Sequence, residues 1–530
     1  MSIVISGIRI PYRDDDSQAI AAALKRCSLG GGDCTVKIIK KSLDLRHGKL
    51  AKVFSVLIDS EREAGILAGN KDPQIRRKSP PLETKITGSV PLEHRPVVVG
   101  LGPAGLFAAL MLAEKGYRPA VIELGAPMEE RDRDTERFVR TGHLNTKSNI
   151  QFGEGGAGAY SDGKLTTRIN DPRCELVLEK FMEFGAPSEI AMAAKPHVGT
   201  DLLKNIVVSM RRRIEELGGT VAFYTQLENF RSADGRLLAV KTDHGEIPCE
   251  TAVLAVGHSA RTLFETLKKE RFTLVRKPFS VGVRAEHLQQ EIDWGVYGKY
   301  AQRLPLPPAE YALSRREGER ACYSFCMCPG GEVVAAASEE GEVVTNGMSY
   351  HARGGRNANA ALAVSVLPQD FDGEDPLAGM YFQRELEKRA FQLGGGAYAA
   401  PVQRLGDFME HRVGSAFGTV APTYPRGTNC IDLHELLPPS VSGMLERSLP
   451  YFGKQIPGYD TPDCVFTAIE TRTSSPVRLM RGEDLMSVDV FGLIPCGEGA
   501  GYAGGIMSAA VDGIRAAETI MARWMPPEEK

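Results

Sequence analysis

Tryptophan is scarce in this chain, with two in 530 residues. The ten cysteines form no C-x-x-C pair and no paired metal-ligand spacing with histidine, so neither a disulfide framework nor a metal site is expected. Neither sign of charge dominates. Lys+Arg is 64 and Asp+Glu is 67, a net charge of -3, which gives no reason to expect whole-surface attraction to nucleic acid or an anionic membrane. No apolar run reaches membrane-spanning length. Met1–Arg9 lacks the basic start and long apolar core of a signal peptide. These absences point to a soluble, cytoplasmic chain with mostly reduced, buried cysteines. What remains is an ordinary globular composition, 42% hydrophobic and 25% charged, long enough for two or three domains.

Glycine carries the strongest signal. Pro96–Val99 is an apolar run that ends in Gly100, Gly102 and Gly105. Pro103, Ala104 and the run Leu106–Leu110 then read as the start of a helix. Ala120–Ile122 is a second apolar run, closed by Glu123. Strand, G-x-G-x-x-G, helix, strand and acid form the fingerprint of a fold that grips the ADP half of a dinucleotide. Gly100 makes the tight turn, Gly102 lets backbone approach a pyrophosphate, and Gly105 lets the helix pack close to the sheet. The helix N-terminus offers N–H groups to phosphate. Glu123 is placed to accept two hydrogen bonds from a ribose.

The chain divides by composition. Residues 1–70 read as a small α+β module, with strands at Ser2–Ile8, Val36–Leu43 and Val53–Asp59 and a helix at Ser17–Arg26. Residues 71–94, with Pro73, Pro80, Pro81 and Pro91, read as a linker. Residues 1–94 carry a net +5 against -8 for the rest. The basic run from Lys37 to Lys52 fits either phosphate contact or, more simply, a solvated strand face. Residues 95–270 read as the first part of a nucleotide-binding domain, residues 271–486 as an inserted substrate or cap domain rich in Gly and Pro, and residues 487–530 as the returning C-terminal part of the first domain. Within the first part, Ala255 and Gly257 end another apolar strand. No second G-x-G-x-x-G follows a strand, so a separate nicotinamide domain is not expected.

Several strings make the chain resemble a known group. Gln151–Gly158, Ser161–Leu165, Cys326–Gly331, Thr345–Ser349 and Glu470–Pro476, together with Lys41–Asp44, resemble the family called NAD(FAD)-utilising or FAD-dependent dehydrogenases, within the flavoproteins of the glutathione-reductase type. The resemblance implies a Rossmann-like α/β FAD-binding domain with an inserted α+β domain. It implies FAD as cofactor; without a nicotinamide domain, either transient NAD(P)H over the flavin or another donor fits as the electron source. Read from the residues, Gly153–Gly158, with Gly155, Gly156 and Gly158, is a second glycine-rich loop followed by Asp162, and it fits backbone contact with the cofactor or a flexible surface loop. The resemblance also places Gly497 and Glu498 at the ribityl chain, where most relatives carry Asp. Gly504, Gly505 and Ile506 then open a helix whose N-terminus faces the flavin pyrimidine edge and favours negative charge there.

No catalytic acid or base stands out. Lys164 fits a group that stabilises a reduced flavin, or an ordinary surface charge. Cys326 and Cys328, two apart on an expected strand, share one face and fit a redox pair, or two small buried side chains. Arg472 and Arg478 fit an anion clamp for a small-molecule substrate, or a surface loop with an Arg–Glu pair. Arg284, His287, His351, His411 and His434 are isolated in sequence and read as core or surface residues. The leading expectation is an FAD-dependent oxidoreductase working through flavin N5. A flavin-dependent RNA-modifying enzyme that uses the basic N-terminal module, and a flavin-binding sensor without turnover, are the alternatives.

Overall fold

The computed structural model describes residues 2–30, 34–80, 84–167, 169–371, 373–414 and 416–528. Residues 81–83 of the expected linker, Pro81 among them, lie outside the described residues. The chain forms two compact units, Met1–Glu83 with Lys164–His197, and Thr84–Gly163 with Val198–Lys530.

In the first unit an antiparallel sheet runs in the order Thr35–Asp44, Ala51–Asp59, Ser2–Pro11, Ile75–Arg77. A register shift between Ile5 and Ile8, at Gly7, re-phases the Ser2–Pro11 strand. Ile3, Ile5, Ile8 and Ile10 can therefore all join one core with Ala19 and Ala23 of the helix Ser17–Arg26. The strand Ile75–Arg77 falls where a linker was expected, because Ile75 completes that core. Within the basic run, Lys41 and Lys52 both pair with Asp16, Lys41 at 2.6 Å. Residues 164–197, which the sequence placed in the nucleotide-binding part, belong to this unit. Lys41 N–H donates to the Met192 carbonyl, and Ala194 N–H to the Lys41 carbonyl.

The second unit is built on five parallel strands: β1 (Val97–Val99), β2 (Ala120–Ile122), β3 (Thr220–Ala222), β4 (Ala252–Leu254) and β5 (Leu493–Pro495). Their spatial order is β5-β4-β1-β2-β3. The order reverses at β1, so a crevice opens beside its carboxyl end, where ligands of open α/β sheets bind. All strands but β3 are buried on both faces, as in covered parallel sheets. The helices that matter below are α1 (Pro103–Glu114), α2 (Thr200–Glu216), α3 (Arg261–Lys269), α4 (Ala378–Leu393) and α5 (Ile506–Arg523). α1 packs against both α2 and α5. It is buried from Ala104 to Ala113, so it is apolar all round rather than amphipathic.

The Gly- and Pro-rich stretch 271–486 holds a seven-stranded sheet, ordered Ser314–Glu317, Arg320–Cys328, Asn357–Val366, Phe279–Leu288, Val465–Glu470, Ala400–Arg404, Thr428–Cys430. Its central strands are buried on both faces, so they lack the apolar/polar alternation that would reveal them in sequence. Among the described residues no helix is long and apolar enough to cross a membrane.

Candidate functional site

The turn from β1 to α1 leaves no space for a side chain at Gly100 or Gly105. Gly100 takes φ +95°, and a Cβ on Gly105 would lie 1.9 Å from the Gly100 carbonyl oxygen. Gly102 is the N-cap of α1, with no side-chain cap among the described residues, so the first-turn amides face outward. Glu123, at the end of β2, is buried. Its carboxylate accepts N–H bonds from Leu101 (2.8 Å), Gly125 (2.9 Å) and Gly153 (3.0 Å). A carboxylate has about four lone-pair sites, so one remains for a ribose hydroxyl. The two-bond ribose grip expected from sequence is corrected accordingly: Glu123 mainly ties the first glycine loop to the second.

The second loop is stapled from behind by Arg131. This fully buried guanidinium donates to the carbonyls of Asn149 (2.8 Å), Ile150 (2.8 Å) and Glu154 (2.5 Å). Glu154 in turn receives Arg211 Nε at 2.7 Å. The loop is thereby held against the others. A Cβ on Gly156 would sit 3.0 Å from Gly102 Cα, and one on Gly158 3.1 Å from Ile506 Cγ1. Ala255 carbonyl backs Gly100, Gly257 backs Gly499, and Gly497 faces the Ala104 methyl. Four segments far apart in sequence thus meet over the carboxyl ends of β1 and β4. Beside them lies a cavity of about 450 Å³ lined by Gly100, Glu123, Thr225, Val256, Ser259 and Arg261. That volume falls within the range of cofactor sites, about 300–1,000 Å³.

The turn after β5 is fixed by Asp512 of α5, which accepts Gly497 N–H at 2.8 Å and pairs with Arg481 at 2.8 Å. Glu498 then reaches His258, with Oε1 2.9 Å from Nδ1. The other ring nitrogen of His258, Nε2, is buried and has no hydrogen-bond partner among the described residues. Lys277 lies in the field of Glu498 and Arg478. Burial pushes its ammonium below the usual lysine value, Glu498 opposes that shift, and Arg478 adds to it. Arg478 stands over the Tyr502 ring at 5.1 Å, and its Nε is also buried without a partner among the described residues. Gly505 caps α5 with no side-chain bond, although the Gly504 N–H donates to Ser508 Oγ at 3.1 Å.

Other expected site residues are engaged elsewhere. Asp162 is gripped by Arg353 (Nη2 to Oδ2, 2.6 Å) and by Ser349, so its carboxylate is a structural anchor rather than a cofactor contact. Arg472 has its donors occupied by Glu387, Ser259 and Ser338. It lacks the open fork an anion clamp needs. Cys326 and Cys328 do not share a face. The strand is bulged between Phe325 and Cys328, Cys326 has φ +44° and is exposed, and Cys328 is buried. Lys164 belongs to the first unit. Sequence reading overlooked His258, Lys277, Arg131 and Asp512. His258 had one available signal, its place directly after the Gly257 strand end. The buried Arg131 and Asp512 had none.

Over residues 278–473, which contain the whole seven-stranded sheet, the chain matches the family described as "FAD-dependent protein, C-terminal domain-like". It is also 47% identical to an uncharacterised protein of Clostridium beijerinckii over 533 residues, covering all of both chains. The chain belongs to the family of that protein. Among solved structures, a glycine oxidase from Geobacillus kaustophilus is 12% identical, covering 83% of this chain and 97% of that one, with a TM-score of 0.35. A glycerol-3-phosphate dehydrogenase from Bacillus halodurans complexed with FAD is 11% identical, covering 82% and 66%, also with a TM-score of 0.35. An L-amino acid deaminase from Proteus vulgaris is 12% identical, covering 83% and 97%, with a TM-score of 0.33. TM-scores this low transfer no site or substrate to this chain.

Proposed function

We propose that the chain is an FAD-dependent oxidoreductase. The observation that carries the reading is the meeting of the glycine segments 100–105, 153–158, 255–257 and 497–505 over the carboxyl ends of β1 and β4. Side chains would fill the space between them, while bare backbone leaves room for a pyrophosphate. The strand order supports a Rossmann-like, glutathione-reductase-type domain. In this reading the α1 amides hold the pyrophosphate, Glu123 keeps one lone pair for the adenosine ribose, and the cavity beside β2 and α3 receives the adenosine. Glu498 and His258 position the ribityl end, with Nε2 of His258 finding there the partner it otherwise lacks. The N-terminus of α5, with Lys277 and Arg478, places positive potential near the ring system, which favours added negative charge. Bound FAD supplies two-electron redox chemistry at N5, with NAD(P)H as the electron donor in this reading.

The test is the visible spectrum of the purified chain, followed by identification of the nucleotide released on heating. Flavin absorption and released FAD are expected. Protein that stays colourless after incubation with FAD would overturn the proposal. Rapid-mixing reduction by NADH and NADPH then separates an oxidoreductase from a flavin-binding sensor. Bleaching by either donor is expected, and a flavin that no donor reduces favours the sensor.

A further inference from the structure

Away from the glycine loops, three short-range neighbours of the large sheet converge on one point. His411 follows the helix Leu405–Met409, His434 sits in the 3-10 turn Leu433–Glu435, and Glu446 lies on the helix Pro439–Gln455. The two histidines that look isolated in sequence stack face to face, with ring centroids 4.0 Å apart at 23°. Both present Nε2 to the same oxygen. Glu446 Oε1 is 2.8 Å from His411 Nε2 and 3.0 Å from His434 Nε2. The three ligand atoms all lie within 4.8 Å of one another. We propose that His411, His434 and Glu446 form a binding site for a divalent first-row transition ion.

The hydrogen-bond arithmetic favours a cation at that point. His434 Nδ1 is 2.7 Å from Asp432 Oδ1, which also accepts the His434 backbone N–H at 3.0 Å. With Nδ1–H given to Asp432, Nε2 carries a lone pair, and that lone pair faces a carboxylate oxygen. Two acceptors at hydrogen-bond distance require a positive centre between them. A proton on His434 Nε2 would supply it for that ring alone, with His411 donating to Glu446 as a neutral ring; one metal ion would serve all three atoms.

The donor set is suitable. Two imidazoles and a carboxylate suit zinc and its neighbours, and three protein ligands leave a coordination position open. Metal–ligand bonds of about 2.0–2.2 Å put tetrahedral ligand atoms about 3.3–3.6 Å apart, so the two spacings above would open by roughly half an ångström to admit the ion. Asp432 does what outer carboxylates do for ligating histidines, fixing tautomer and ring angle. Phe408, stacked on His434 at 4.4 Å, holds the ring from the other side. His411 is 59% exposed, which gives an ion a route in.

The test uses the full chain, stripped with EDTA and titrated with Zn²⁺ against a chromophoric competitor. One tight equivalent is expected in the unaltered protein. His434→Ala and His411→Ala should each weaken it at least 100-fold, and Asp432→Asn about 10- to 100-fold. His94→Ala, in the exposed Glu93–His94–Glu250 group, should leave it unchanged. Circular dichroism melts check folding. Should His434→Ala fail to fold, exposed His411→Ala decides the matter. Absence of tight Zn²⁺ binding, loss on His94→Ala instead, or unaltered binding in the histidine variants would each overturn the site.

Discussion

Arg472 and Glu387 meet as a buried pair, with Nη2 3.0 Å from Oε2 and Nε 3.3 Å from Oε1. Arg261 of α3 grips the same carboxylate from the other side at 2.8 Å, and also reaches Glu342 at 3.0 Å. Glu387 is carried by α4, so the cluster joins α3, α4 and the segment after Val465–Glu470. Removing the sole partner of a buried charge costs about 3–5 kcal/mol, and Glu387 would keep Arg261. Arg472→Ala should therefore lower unfolding free energy in urea titration, by less than that amount. Turnover per bound flavin should change less. Unaltered stability with lost turnover would restore the substrate-clamp role.

The first glycine loop separates folding from binding. Gly102 has φ -73°, and the nearest atom to an added Cβ is Gly156 Cα at 3.7 Å. Gly102→Val should fold with a normal melting profile yet retain less than a tenth of the flavin, read by absorbance per protein. Gly105→Val has no such room and should not accumulate as soluble protein. Full flavin content in Gly102→Val would remove this loop from the cofactor site.

His258→Leu removes a buried ring nitrogen that lacks a partner. If that nitrogen meets the cofactor, retention should fall about tenfold, or about 1.4 kcal/mol, in dialysis against apoprotein acceptor, with folding intact. An unaltered affinity and spectrum would make the Glu498–His258 contact purely structural.

His287 makes acid the weak side. It is fully buried, donates from Nε2 to the Tyr459 carbonyl at 2.7 Å, and burial lowers its pKa from 6.5 to about 4. The unfolded chain then binds the proton first. Stability should drop as pH falls from 6.5 to 4, by about 3 kcal/mol from this group. The slope across that window should flatten in His287→Gln, followed by chemical unfolding at each pH.

Glu342 acts in the opposite direction. Burial, with its neighbours Glu339 and Glu387, raises its pKa to about 8. The folded chain holds a proton that the unfolded chain releases near 4.5, so this group's contribution declines as pH rises from 4.5 to 8. Above pH 6.5 His287 no longer opposes it. Glu342→Gln should flatten the decline between pH 6.5 and 8, and an unaltered slope there would place the proton elsewhere.

The glycine fingerprint was legible because its geometry demands a residue type: only glycine allows a Cβ-free approach of 1.9 Å at Gly105. The helix at Ser17–Arg26 and the strands flanking His47-Gly48 were legible through period. The seven-stranded sheet was not, since Asn357–Val366 is a run of small residues buried on both faces, a pattern shared with interior helices. The fates of Asp162 and Arg472 were not legible either. Which carboxylate a buried arginine meets is decided by elements more than 80 residues away in chain order, such as Arg472 and Glu387, and local pattern carries no trace of it.

β5 and α5 supply one wall of the cradle, yet they lie at Leu493–Pro495 and Ile506–Arg523, while the opposite wall begins at Val97. During translation the ribosome therefore releases the whole seven-stranded sheet before the apolar flank of β4 acquires its outer neighbour. A nascent chain carries three walls and an open side. Any ligand that all four walls must hold is captured only after β5 and α5 have emerged.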